Sequence, residues 1–100
     1  MRPRPFRKVI ADLIPLLAEK GIALEQSNHG KGSHRTLIFV DLTSGLREPI
    51  VVSGSKDMSK VVQRGIIAHL ARRAAMFEVG HPVRDHAERV RKILERYFNS

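Results

Sequence analysis

The fold is decided by the stretch Thr36-Leu37-Ile38-Phe39-Val40-Asp41-Leu42, whose β-branched and aromatic residues are typical of a central strand. Thr43-Ser44-Gly45 follows as a turn, and Pro49-Ile50-Val51-Val52 then predicts a second strand that returns antiparallel to the first. Upstream, residues 22–26 alternate apolar and polar side chains, which indicates another short strand. The sequence therefore predicts a sheet of three antiparallel strands.

A helix is predicted before the sheet. Its apolar residues recur at helical spacing from Phe6 to Leu17, and Lys20-Gly21 provides a cation followed by a glycine suited to a helix end. Pro15 lies inside this pattern and cannot donate to the carbonyl of Ala11. Either the helix kinks there, or its regular part begins near Asp12.

Two more helices are predicted after the sheet. The first takes Ser55 or Asp57 as its N-cap and carries an apolar face up to Phe77, interrupted by Gly65, for which a close approach to the sheet is a plausible reason. After the hinge at Gly80, an apolar stripe from Val83 to Tyr97 predicts the last helix. Two acid-before-base pairs at a spacing of four favour it, namely Asp85 with Arg89 and Glu88 with Lys92.

These elements predict an α+β fold in the order α-β-β-β-α-α. A sheet with one apolar face must be covered, so the helices before and after the strands are expected to pack together on that face, leaving the other face in water. The length of 100 residues fits a single domain.

The charge balance favours a polyanionic partner. Lys and Arg total 18 against 10 acidic residues, a formal net charge of +8. Such a surplus attracts nucleic acid, although basic charge that serves only solubility and an acidic protein partner stay open as alternatives. The absence of cysteine excludes disulfides, zinc–thiolate sites and thiol catalysis. No membrane-spanning run or signal core is recognised, so a cytoplasmic location is expected.

The residues just before the central strand have the chemistry of a phosphate site. Gly30 and Gly32 allow close backbone approach, Lys31 and Arg35 are cations, and Ser33 and His34 add a hydroxyl and an imidazole. A Walker-type loop is rejected, because that motif requires a helix to follow, whereas here a strand follows.

The Gly32-Ser33-His34 tripeptide entering a strand, the hairpin after it and a basic helix opening near Lys56 and Lys60 resemble the HicA-type toxins of bacterial toxin–antitoxin pairs. These are small messenger-RNA-cleaving proteins with a double-stranded-RNA-binding-domain-like fold. The resemblance implies that His34 is the catalytic residue, that RNA is the substrate and that an antitoxin protein is a partner. It covers roughly residues 21–70, so residues 1–79 are expected to form the core of that fold, with residues 80–100 as an additional C-terminal helix.

A ribonuclease of this kind needs no cofactor. Neutral His34 would take the proton of a ribose 2′-hydroxyl, and Lys31 or Arg35 would stabilise the charge on the phosphate. A metal-dependent route is disfavoured because Glu25, Asp41, Glu48 and Asp57 are scattered along the chain. The alternative is a noncatalytic nucleic-acid-binding module in which His34 only contacts phosphate.

Further phosphate contacts are predicted at the N-terminus, where no acidic residue lies nearby. The RNA-binding or phosphate-binding set is Arg2, Arg4, Arg7, Lys8, Lys31, Gly32, Ser33, Arg35, Lys56 and Lys60. Exposed aromatic platforms are scarce, so recognition is expected to follow the backbone and shape of the RNA. His69 and His86 lie on apolar helix stripes and are interpreted as core or interface residues, and no zinc site is predicted.

Overall fold

The predicted antiparallel sheet and its flanking helices are present in the structure, a computed structural model that describes residues 1–27 and 34–100. The elements, in chain order, are β1 (Arg4–Pro5), α1 (Phe6–Ala18), β2 (Ile22–Ser27), β3 (His34–Asp41), β4 (Arg47–Ser53), β5 (Asp57–Met58), α2 (Lys60–Ala75) and α3 (Pro82–Phe98). Strands β2, β3 and β4 form the main sheet in that spatial order, with β3 in the centre. The α+β class and the order α-β-β-β-α-α are therefore confirmed.

The two faces of the sheet differ in burial. Leu37 and Phe39 are buried, whereas Thr36, Ile38 and Val40 between and beside them are only partly covered. Because successive side chains of a strand point to opposite faces, the odd-numbered residues of β3 face the helices. The even-numbered residues lie on the other face, which we call the open face.

The helices bury their apolar stripes on the helix-facing side. One continuous core joins residues of α1, the sheet, α2 and α3, including Phe6, Leu13, Leu37, Phe39, Leu70, Val90, Leu94 and Phe98. Phe98 is completely buried although it lies at the end of the last helix. Helix α3 is therefore part of the same core as the sheet.

Helix α1 passes through Pro15 without interruption, beginning at Phe6 and ending at Ala18. Of the two alternatives left open by Pro15, a regular start near Asp12 is thus wrong. The backbone then turns through Gly21, whose positive φ of 72° suits a residue without a Cβ. The amide of Leu42 donates to the carbonyl of Gly21 at 2.9 Å, which ties this turn to the end of β3.

Helix α2 begins later than predicted. Its N-cap is Ser59, whose hydroxyl accepts from the amide of Val62 at 3.1 Å, so neither Ser55 nor Asp57 caps the helix. Ser55 instead donates to the carbonyl of Asp57 at 2.8 Å. Asp57 itself lies in a two-residue strand, which a periodicity argument is too coarse to detect.

That short strand, β5, pairs antiparallel with β1 and closes the N-terminus onto the connection between β4 and α2. Arg4 lies opposite Met58 and Pro5 opposite Asp57, and the amide of Phe6 donates to the carbonyl of Lys56 at 2.8 Å. This second, two-stranded sheet brings the start of α1 beside the start of α2.

The ion pairs on α3 differ from those predicted. Arg89 contacts Asp41 at the end of β3, with Nη1 3.5 Å from Oδ2, and Arg91 pairs with both Glu88 and Glu95. The predicted pairs within α3, Asp85 with Arg89 and Glu88 with Lys92, are therefore wrong. Arg89 pairs with Asp41 of β3 and not with Asp85 of its own helix, because this part of α3 lies beside the end of β3.

The expected close approach at Gly65 is also wrong. A Cβ placed on Gly65 would meet no atom within 4 Å, and the residue is exposed.

We expect Gly65→Ala to raise the free energy of unfolding by about 0.5–1 kcal/mol, because alanine is the better helix former. Urea denaturation measures this difference. As a matched control, Gly21→Ala should lower stability, since the left-handed backbone at Gly21 strains any other side chain.

Candidate nucleic-acid interface

His34 begins β3 and is exposed. It lies directly opposite Ser53, the last residue of β4. The amide of Asp41 donates to the carbonyl of Leu46 at 2.8 Å, so these two residues form a hydrogen-bonded pair. Hydrogen-bonded and non-hydrogen-bonded pairs alternate along an antiparallel ladder, and the pair of His34 and Ser53, seven steps further along, is therefore a non-hydrogen-bonded one. Side chains in such a pair lie on the same face with Cβ atoms about 5 Å apart. The imidazole therefore lies at the edge of the open face, beside a hydroxyl.

Part of the predicted phosphate site falls on residues that the structure does not describe. Gly30, Lys31, Gly32 and Ser33 lie in the gap between residues 27 and 34. Their predicted roles stay predictions.

Arg35 is placed differently from the expectation. It follows His34 in β3 and so lies on the helix-facing side, where its guanidinium carbon is 4.7 Å from the centroid of the Phe6 ring. His34 and Arg35 thus lie on opposite faces of the strand. The structure therefore keeps the Arg35 cation away from the imidazole. Strand alternation alone predicts this separation, because neighbouring residues of a strand point to opposite faces.

Three other predicted cations lie on the segments that the β1–β5 pairing joins, beside the starts of α1 and α2. Lys56 lies three residues after Ser53, and its carbonyl accepts from the amide of Phe6. Lys60 is the first residue of α2, and Arg7 is the residue after Phe6 in α1. Lys56, Lys60 and Arg7 are all exposed. We call Arg7, His34, Arg35, Lys56 and Lys60 the basic end.

Arg4 is the clearest correction among the predicted phosphate contacts. It is only 8% exposed, and its Nη2 donates to the carbonyls of Tyr97, Phe98 and Ser100 at 3.3, 3.3 and 3.0 Å. Its guanidinium also lies over the ring of Tyr97, 4.7 Å from the centroid. Because the side chain is buried and its Nη2 is bonded to the end of α3, Arg4 is unavailable to phosphate. The prediction is wrong because a run of basic residues carries no sign of a buried partner.

Of the remaining N-terminal cations, Arg2 is exposed, and Lys8 is partly neutralised by an ion pair with Asp12 at 3.4 Å. The Tyr97 hydroxyl donates to Asp12 at 2.7 Å, and this bond, with a smaller contribution from Lys8, lowers the pKa of the Asp12 carboxyl. Asp12 therefore stays ionised at neutral pH. Its charge offsets that of Lys8, which makes Lys8 the weaker phosphate ligand.

Two of the other histidines have structural contacts. His86 is buried, and its Nε2 is 2.9 Å from the carbonyl of Phe39, which is the arrangement of a core residue. His81 caps α3, its Nδ1 accepting from the amide of Val83 at 3.1 Å. The interpretation of His86 as a core residue is confirmed.

The structure adds a buried carboxylate that the sequence pattern did not single out. Glu48 in β4 is 3% exposed, and its Oε2 accepts from Nε of Arg73 at 3.1 Å. Nε2 of His69 lies 3.8 Å from the other oxygen of Glu48. His69 thus belongs to an interface between β4 and α2, while its own side chain is 40% exposed. Alternation with Ile50 and Val52 in the same strand is the sequence signal that could have placed Glu48 on the helix-facing side.

Within residues 1–27 and 34–100, no three His, Asp or Glu side chains come close enough together to hold a metal ion. In the same parts of the chain, no helix has the length and apolar character needed to cross a membrane. Comparisons with models of protein families, with curated proteins and with solved structures give no match. The resemblance to HicA-type toxins therefore stays a prediction.

Proposed function

We propose that this protein binds RNA at its basic end and cleaves it there with His34 as the general base, without a metal. The observation that carries the proposal is the exposed imidazole on the open face of a chain in which Arg7, Lys56 and Lys60 are also exposed. An imidazole can exchange a proton near neutral pH, and exposed cations attract the phosphate backbone. The resemblance of residues 32–34 to the HicA-type motif supports the same assignment.

In the proposed reaction, neutral His34 removes the proton of a ribose 2′-hydroxyl. The 2′ oxygen then forms a bond to the adjacent phosphorus, and the bond from phosphorus to the 5′ oxygen of the next nucleotide breaks. The products are a 2′,3′-cyclic phosphate and a 5′-hydroxyl, whose proton comes from solvent or from the imidazolium. DNA cannot react, because it lacks the nucleophile.

Charge that builds on the phosphate oxygens needs a cation. Because Arg35 lies over Phe6 on the other face and the Lys56 carbonyl accepts from the Phe6 amide, we assign this role to Lys31 from the sequence, with Lys56 as the further candidate. Ser53, opposite His34, is close enough in the sheet to orient the imidazole or to contact the ribose.

A second candidate function is noncatalytic RNA binding by the same surface. The position of Arg35 favours it, because an imidazole without a guanidinium on its own face is a weaker catalytic arrangement than the sequence predicts. Under this alternative His34 contacts phosphate, and affinity depends on the same cations.

Messenger RNA as the substrate implies a cytoplasmic location, and a nuclease of this kind requires an inhibitor in its own cell. We therefore include in the proposal a cytoplasmic antitoxin that covers His34 and the basic end. The net charge of +8 predicts that the covering surface is acidic.

The test is incubation of the full chain with a labelled RNA oligonucleotide in EDTA. We expect fragments ending in a 2′,3′-cyclic phosphate, and no fragments from an otherwise identical oligonucleotide in which every sugar is 2′-deoxyribose. The affinity of the protein for the RNA oligonucleotide and for its deoxyribose counterpart should fall steeply as the salt concentration rises, because neutralised phosphates release counterions. RNA binding without products would establish the noncatalytic alternative, and absence of RNA binding would contradict both.

A further inference from the structure

Strand β4 leaves one edge of the main sheet open. The hydrogen-bonded pair of Asp41 and Leu46 fixes which residues of β4 bond to β3, so the backbone groups of Arg47, Pro49, Val51 and Ser53 point away from the sheet. The position of Pro49 agrees, since a proline without an N–H is tolerated where that group would face outward. Among the described residues, none forms a backbone hydrogen bond to these outward groups.

This edge borders a groove of about 260 Å³ between β4 and α2. Its lining includes Ile50, Val52, Val62, Gly65, His69 and Arg72. Gly65 has no atom within 4 Å of the place where its Cβ would be, so the missing side chain contributes open space to the groove. The combination is an unpaired strand edge with an adjoining groove of mixed apolar and basic lining, which an added strand can use for its backbone bonds and its alternate side chains.

The charges around the groove select the occupant. Its lining contains Arg72 and His69 but no acidic residue. Arg72 is exposed and has no ion-pair partner among the described residues. A second copy of this chain would bring another net charge of +8 to the same place, which disfavours self-pairing.

We propose that the edge of β4 receives an extended, acidic segment of a partner protein as a fourth strand of the main sheet. The backbone N–H and C=O groups of Val51 and Ser53 would bond to the segment. Alternate side chains of the segment would enter the groove beside Gly65, and its carboxylates would meet Arg72. This proposal does not depend on RNA cleavage by His34.

The probe is a ten-residue peptide in which Glu alternates with Val, compared with a peptide in which Lys replaces Glu. We expect the acidic peptide to bind the full chain and to slow hydrogen exchange of the Val51 and Ser53 amides. The basic peptide should not do so. Protection confined to β2 or to the helices, or no binding of the acidic peptide, would overturn the proposal.

Three variants locate the site. Val51→Pro removes an outward N–H without removing a bond to β3 and should weaken the acidic peptide about tenfold or more, as should Arg72→Glu. Arg96→Glu makes the same change in net charge on α3, away from the groove, and should change affinity less than about threefold. Circular dichroism establishes whether each variant folds. If Val51→Pro does not fold, the affinity of the Arg72→Glu variant for the acidic peptide tests the proposal.

Equal effects of Arg72→Glu and Arg96→Glu would show that only net charge attracts the peptide, and a concentration-dependent dimer blocked by Val51→Pro would show that the occupant is a second copy. Either result overturns the proposal. His34→Ala should leave peptide binding unchanged, so failure of the ribonuclease proposal is distinguishable from failure of this one.

Discussion

His34→Ala is expected to lower the rate of RNA cleavage by about 100-fold to 10,000-fold, the range over which a positioned acid or base contributes to catalysis. Affinity for RNA should change far less, because Lys56, Lys60 and Arg7 remain at the basic end. Single-turnover cleavage and a separate binding measurement distinguish the two quantities. Free imidazole added to the variant should restore part of the lost rate if the missing group acts by proton transfer.

The matched control is His69→Ala, which removes an imidazole that lies beside Glu48 between β4 and α2 and is 40% exposed. It should leave cleavage unchanged, since His69 lies beside Glu48 and not at the basic end. If His34→Ala cleaves RNA as fast as the unchanged protein, His34 is not the base. If both variants lose activity equally, the loss reflects instability of the fold.

The largest effect on stability is expected from Phe98→Ala. The ring is completely buried within the core formed with Val90 and Leu94. Truncating a buried phenylalanine costs about 3–5 kcal/mol, because apolar surface is lost and a cavity remains. Since domains of this size are stable by only about 5–15 kcal/mol, the variant should be partly unfolded under conditions in which the parent chain is fully folded.

Val79→Ala provides the control, because Val79 is 84% exposed and its truncation should change the unfolding free energy by less than about 0.5 kcal/mol. Urea unfolding of the three proteins gives the comparison. A small loss for Phe98→Ala would mean that α3 packs loosely and that residues 80–100 form an appendage. A large loss would establish that the helix completes the core.

Periodicity predicted most of the fold because it reports burial. The buried Leu37 and Phe39 alternate with less buried residues in β3, and the apolar stripe from Val83 to Tyr97 predicts which face of α3 is buried. Strands β1 and β5 have no sequence signature, since two residues are too few to show a period. The N-cap was misassigned because Ser55, Asp57 and Ser59 all have suitable side chains, and only the β1–β5 pairing decides among them.

The candidate site was predicted in part. Exposure of His34 follows from its place between a polar loop and a strand, and the structure agrees. The position of Arg35 was predictable from strand alternation with Leu37. The burial of Arg4 was not, because its acceptors at Tyr97, Phe98 and Ser100 lie more than 90 residues away in the sequence.

That long separation constrains when the protein can fold. The guanidinium of Arg4 and the carbonyls that satisfy it are separated by more than 90 residues, so they meet only when α3 packs beside the segment that precedes α1. Without the α3 residues of the shared core, α1 and the sheet would leave part of their apolar surface exposed to solvent. Contacts between residues so distant in sequence slow folding, because the loop between them must close before the contact forms.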